Sequence, residues 1–573
     1  MLRSLVAVAP VLVLLGCAGP EQPLRGREAA GGRSYGGVFN TNEAERIRSL
    51  FPLSLSQAAA HRIAGQVYQG LVRLDPTTLE PVAALADNWV VDSTGLVYTF
   101  QLRPEVRFHD HEMFPDGRGR ALTVKDIEHC FRAICTYSEV NQMFWLFQGR
   151  VKGADEWHER TREGRPPVEG GLGIEVVDDR HLRITLDHPV PNFLQVLAHQ
   201  GCWIYPPELV ARYGPDGGGQ AVGTGPFAVR VMRPGEVIIL ERWQDYWETD
   251  EHGNALPFLD AVRITFEPDK ARELDEFLRG RLTAVFEVPV DRIGVLRDSL
   301  DKNGVPRFKV RSVPGLTTQF YGFNLFRPPF KDVRVRRAFA MAINRQVIVD
   351  SVLHGLAVSA DHGLVPPGMT GYPYAMVEAC SFDPDAARAM LADAGYPGGR
   401  GFPKVLLQVN SDGFGYVRVA EAVQTMLDEV LHVNTTISVL PAEQHYDRIE
   451  LGQAAFWREG WIADYPDPEN FLALLHGRNA VLDTAQRTFL NNTRYHAARF
   501  DSLFTVARAA KRETERLRGL AAAERIAMED VPILPLYHDR NIRLEQPWVQ
   551  GLAMNGMEYR DLSRVWFDPH LRP

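Results

Sequence analysis

Cysteine is scarce in this chain: 573 residues hold five. No CxxC pair and no Cys/His spacing of a zinc site occurs among them, which removes the common structural-metal and redox motifs. There is no excess of basic residues, since 63 Lys and Arg face 72 Asp and Glu for a net charge of -9. That balance gives no electrostatic footprint for nucleic acid or an anionic membrane surface. Signatures of hydrolysis are missing as well, with no GxSxG elbow and no HExxH helix. The glycine run at 214–219 (GPDGGG) is followed by no Lys-Ser or Lys-Thr, so it reads as a loop and not as a phosphate cradle. No internal repeat is present. The longest apolar run near the start, LVAVAPVLVLL at 5–15, is far short of the ~20 residues a spanning helix needs.

What is present is the balance of an ordinary globular protein, 45% hydrophobic and 24% charged, long enough for several domains or one large two-lobed body. The apolar run follows Arg3 and leads into Leu14, Leu15, Gly16 and Cys17, which reads as the core of a secretory signal. It resembles the bacterial lipoprotein signal, which implies cleavage after residue 16 and a lipid on Cys17. Residues 17–37, rich in Gly, Arg, Glu and Pro without periodicity, are expected to be a tether. Cys130, Cys135, Cys202 and Cys380 are expected to be buried free thiols.

Helix and strand signals alternate, as in an α/β protein. Thr123 and Asp126 form a capping-box pattern ahead of Val124, Ile127, Phe131 and Ile134 on one helical face. Asp383, Pro384 and Gly395 bracket a second helix, and Val419, Val423, Met426, Leu427 and Val430 mark a third. Strands are predicted at 97–102, 182–186, 236–242, 262–266, 405–409 and 435–440. His109 and His111 flank Asp110, but alternate positions on an extended segment point apart, so they read as structural histidines.

A colinear series of blocks then carries a resemblance. YQGLVRLD (68–75), LADNW (85–89), YTFQL (98–102), VRFHD (106–110), GTGPF (223–227), LERWQDYW (240–247), PFKDVRVRRAFAMAI (329–343), GWIADYPDPENF (460–471) and PILPLY (532–537) follow one another in order. Together they resemble the peptide/nickel-type solute-binding proteins of bacterial ABC importers, family 5. The resemblance implies a two-lobed α/β periplasmic binding protein of the type II, Venus-flytrap kind, with an extra inserted subdomain. It places lobe 1 at 38–58, 172–316 and 541–573, the inserted subdomain at 59–171 and lobe 2 at 317–540.

The same resemblance implies a non-enzymatic monomer without cofactor or metal, lipid-anchored in the periplasm, handing a peptide to an inner-membrane ABC permease. A non-peptide ligand such as a nickel chelate, haem, sugar or opine-like compound is the alternative within the family, and a periplasmic hydrolase the remote one. In oligopeptide-binding members an aspartate at the position of Asp464 pairs with the ligand's ammonium group, a task that suits a carboxylate. Arg458 is then a candidate partner for a ligand carboxylate. Main-chain groups of Gly460 and Ile462 would run beside the peptide, and Phe320 and the loop at 54–58 are candidate walls. Some members carry a disulfide at the positions of Thr317 and Ile462; neither is cysteine here.

Overall fold

The computed structural model describes residues 27–572 except 48, 56, 299–303, 305, 306, 412–414, 484, 485 and 489. The signal at 1–16, Cys17 and the first part of the tether lie outside the described residues.

Residues 27–37, expected as the end of the tether, are part of the body. Arg27–Ala29 and Arg33–Tyr35 pair as an antiparallel hairpin around Gly31, whose φ of +74° suits glycine. Arg33 makes ion pairs with Asp250 and Glu251, and the Tyr35 ring lies 5.2 Å from that of Phe258. Composition hides this because Asp250 stands 217 residues further along the chain.

Three main sheets organise the rest. The first runs Phe227–Arg233, Val237–Arg242, Ala261–Thr265 and Val38–Asn42, the last two parallel. The second runs Ala86–Val91, Val97–Leu102, His181–Thr185 and Ile174–Val176. Its VYTFQL strand alternates as the period-2 pattern predicts, with Tyr98, Phe100 and Leu102 buried. Two strands within 172–316, the stretch expected in lobe 1, belong to this sheet: His181–Thr185 pairs with Val97–Leu102, and Ile174–Val176 pairs with His181–Thr185. The third sheet has seven strands: Ala284–Val285, Ile533–Glu545, Lys309–Phe323, Phe456–Ile462, Val405–Asn410 and Thr435–Leu440 in spatial order, with Ala357–Ser359 beside Ile533–Glu545.

Two strands of this sheet, Lys309–Phe323 and Ile533–Glu545, pair antiparallel from Lys309 opposite Glu545 to Gly322 opposite Ile533. The expected boundaries at 316/317 and 540/541 fall inside them, beside a register irregularity between Pro314 and Thr318. Continuous β-structure, not a loop, thus joins the two halves. Helix signals hold locally. Thr123 and Asp126 close a reciprocal capping box on Val124–Cys135, and Asp383 caps Pro384–Asp393 by accepting the Ala386 N–H at 3.0 Å. Cys130, Cys135, Cys202 and Cys380 are free thiols, the first three buried.

One buried cluster spans the first sheet and the inserted subdomain, and it also takes in Tyr465 from the segment after Phe456–Ile462. The Tyr465 hydroxyl donates to Glu469. Glu469 in turn lies 3.6 Å from Arg150 of the inserted subdomain and accepts from Asn192 at 3.5 Å. Segment 463–470 is therefore clamped onto the opposite half of the molecule.

Candidate functional site

Between the halves lies a cleft of about 700 Å³, the size of a small-molecule or short-peptide site. Asn42, His61 and Trp203 line one side; Thr317, Ile462 and Asp464 line the other. Burial holds the cleft imidazoles of His61 and His199 neutral, at about 4 and about 3. Cations on the first side are already matched, Arg62 to Glu43 at 2.5 Å and Lys270 to Glu273 at 2.9 Å.

Asp464 is different. Among the described residues its carboxylate meets one side-chain donor, Asn470 Nδ2 at 3.0 Å, while Asn470 Oδ1 accepts the Asp464 N–H at 3.1 Å. The side chain is half-buried, reaching solvent through the cleft while protein packs round the rest of it. Burial accordingly pushes its carboxyl up to about 6, and the Asn470 bond offsets only part of that. A carboxylate in this position gains by meeting a cation.

The strand Phe456–Ile462 brings Gly460 and Ile462 to the same wall. Ala463 N–H donates to Leu316 O at 2.9 Å, so antiparallel alternation turns the main-chain groups of 459 and 461 toward Lys309–Phe323. Those of Gly460 and Ile462 point the other way. On that side Val405–Asn410 pairs with Phe456 and Trp457 alone, and the Arg458 carbonyl is bonded to His445 Nε2 at 2.9 Å. The outward groups of Gly460 and Ile462 have no partner among the described residues, which leaves a short open strand edge. Ile462 is 56% exposed, unusual for its type. Thr317 and Ile462 face each other directly across the two strands.

Arg458 is placed otherwise than a ligand-facing guanidinium. It is buried, stacked 3.3 Å from the Tyr416 ring centroid, and donates to Asn410 Oδ1 at 3.1 Å and to Gln319 Oε1. It stands behind the cleft wall, with Gln319 between. A Cβ at Gly460 would collide with Gln319 Oε1, so glycine lets that amide keep its place between Arg458 and Asp539. Phe320 is 3% exposed and packs with Leu364, Val365 and Phe471 in a hydrophobic cluster. It thus lies in the core, on the strand face opposite Thr317 and Gln319, and supplies no cleft wall. Ala58, from the loop expected at 54–58, does line the cleft.

His109 is buried; its Nε2 meets Gly225 O at 2.9 Å, and burial lowers its pKa to about 4. That makes it a structural tie between loops. No group of three or more His, Cys, Asp or Glu residues that could hold a metal is found among the described residues.

The model for bacterial extracellular solute-binding proteins, family 5, matches residues 80–481. The chain belongs to this family. Among relatives, the Escherichia coli K12 periplasmic oligopeptide-binding protein OppA is 26% identical over 518 residues, covering 89% of this chain and 88% of that protein. Haemophilus influenzae heme-binding protein A is 25% identical, covering 87% and 85%. Of solved structures, Helicobacter pylori DppA in complex with the peptide STSA superposes with a TM-score of 0.78 at 24% identity, covering 94% of this chain and 99% of that one. A Borrelia burgdorferi oligopeptide-binding protein gives 0.76 at 25%, covering 92% and 99%. The two-lobed α/β binding-protein fold of family 5 is therefore the fold of this chain. Among the described residues no helix is long and apolar enough to cross a membrane.

Sequence reasoning passed over Asn470 and Gln319. Both are amides whose role depends on what they orient, a carboxylate in one case and a guanidinium in the other, and neither carries a motif.

Proposed function

We propose that this family 5 protein captures a peptide with a free amino terminus between its lobes and passes it to an ABC permease. The observation that carries the reading is Asp464 beside the open edge of Gly460 and Ile462. The carboxylate supplies the counter-charge for an ammonium group, and the edge supplies donors and acceptors for an extended main chain, as in β-augmentation. The low dielectric of the closed cleft strengthens both. The oligopeptide-binding proteins among its relatives support the same ligand class. In this reading the chain is exported, lipidated at Cys17, held at the membrane by that lipid, and monomeric.

Titration calorimetry with an alanine tripeptide tests the site. Asp464→Ala is expected to weaken binding by roughly 2–5 kcal/mol, the usual loss when one member of a buried charge pair is removed. Acetylating the peptide's amino group is expected to weaken it similarly. Unchanged affinity in both experiments would remove the ammonium anchor.

A further inference from the structure

Two residues of the cleft wall have no part in the account above. Tyr537 and Asp539 lie two apart on Ile533–Glu545, hence on one face of the strand, and both line the cleft. Tyr537 is 4% exposed, yet its hydroxyl has no hydrogen-bond partner among the described residues and opens onto the cavity. Asp539 Oδ2 accepts from Gln319 Nε2 at 2.7 Å, and no Lys or Arg of the described residues forms an ion pair with either of its oxygens.

No ion pair joins Arg458 to Asp539: Gln319 lies between them, accepting from the guanidinium and donating to the carboxylate, and the guanidinium's charge acts on Asp539 only from a distance. The Arg458 guanidinium is spent on Gln319, Asn410 and the Tyr416 ring, which leaves Arg540 as a cleft-lining cation that forms no ion pair among the described residues. Around the cleft stand seven carboxylates against four Lys and Arg side chains, and Glu287 and Glu558 add negative potential at Asp539. Burial pushes the Asp539 carboxyl up to about 6, so above neutrality it is a charged group without a cation in contact.

We propose that Asp539 and Tyr537 form a second cation subsite, which selects peptides bearing an ammonium or guanidinium side chain in addition to the free amino terminus. The carboxylate supplies counter-charge, the phenol oxygen accepts a further N–H, and Gln319 holds the carboxylate's orientation. This inference rests on the peptide-capture reading and specifies its ligand.

The test compares Ala-Lys-Ala with Ala-acetyllysine-Ala, and Ala-Ala-Lys with its acetyllysine counterpart, by calorimetry at about pH 7.5, where Asp464 and Asp539 are ionised. Wild type is expected to favour the lysine member of at least one pair by about tenfold, the scale of one charge-assisted hydrogen bond. Asp539→Asn, which keeps an oxygen for Gln319, is expected to bring that ratio to about one, whereas Asp464→Asn weakens both members together and keeps the ratio. Tyr537→Phe is expected to lower the ratio in part, and it decides the matter if Asp539→Asn does not fold. Equal affinities within every pair for wild type, or a ratio intact in both Asp539→Asn and Tyr537→Phe, overturns the subsite while leaving peptide capture standing. Failure of all four peptides to bind wild type overturns peptide capture itself, and the subsite with it.

Discussion

Asp464 and Asp467 lie three residues apart in one turn, and the fold treats them oppositely. Asp467 is 1% exposed; Arg516 grips both its oxygens, at 3.0 and 2.5 Å, and it accepts the Glu469 N–H at 2.8 Å to cap Pro468–Leu472. Asp464 has the amide of Asn470 and the cleft. One acid is committed to the architecture, while the other is left with one amide donor and no cation, so burial disfavours its charge. Charge count alone would not separate them. What does so is the presence or absence of a cation built into the fold.

The largest expected effect is on Asp467. Asp467→Ala should lower unfolding stability by ~2–3 kcal/mol, because it removes the buried partner of Arg516, leaving that guanidinium with Glu513 alone, and takes the cap off Pro468–Leu472. Urea denaturation without ligand would show it. In the same assay Asp464→Ala is expected to leave stability level or raise it, since it removes a carboxylate that burial disfavours. Equal losses in the two variants would dissolve the contrast.

A pH titration sharpens the comparison next. For a peptide with uncharged side chains, affinity should fall about tenfold per pH unit below about 6, as Asp464 takes up its proton, and Asp464→Asn should flatten that profile. The stability of the empty protein runs the other way. Asp464's carboxyl is raised in the folded state from 3.8 to about 6, so the native state binds more protons between those values. Its contribution to stability is full at the acid end of that window and is lost as pH rises through about 6. Wild type minus Asp464→Asn isolates this dependence from that of Asp539. The smallest effect concerns the residue between the two acids: Tyr465→Phe removes one bond to Glu469 and should cost ~0.5–1.5 kcal/mol by denaturant unfolding.

Much of the architecture was legible because it is local. A capping box, an N1 proline and period-2 alternation act within a few residues, and the helices at 124–135 and 384–393 and the strand at 97–102 follow from them. Pairing across distance was not. Strands 174–176 and 181–185 join 97–102 through register that no local pattern encodes. Phe320, a candidate wall in the sequence, lies in the core; Lys309–Phe323 is buried on both sides over 315–323, which erases the alternation that would orient it. Asp539 carries no motif in the sequence and sits in the middle of Ile533–Glu545 among the polar residues His538 to Asn541. Only Gln319, 220 residues away, reveals that it faces the cleft. The Gly31 hairpin escaped for a similar reason, its partners lying beyond residue 249.

The clamp at 463–470 has a consequence for engineering. Asp464, which lines the cleft, is covalently next to Tyr465, which is seated in the buried cluster of the opposite half, and Glu469 beyond it faces Arg150. The carboxylate that faces the cleft and the anchor into the opposite cluster therefore share a single short piece of backbone. Substitutions that reshape the cleft along this stretch are expected to disturb the seating of Tyr465 and the Glu469–Arg150 contact as well.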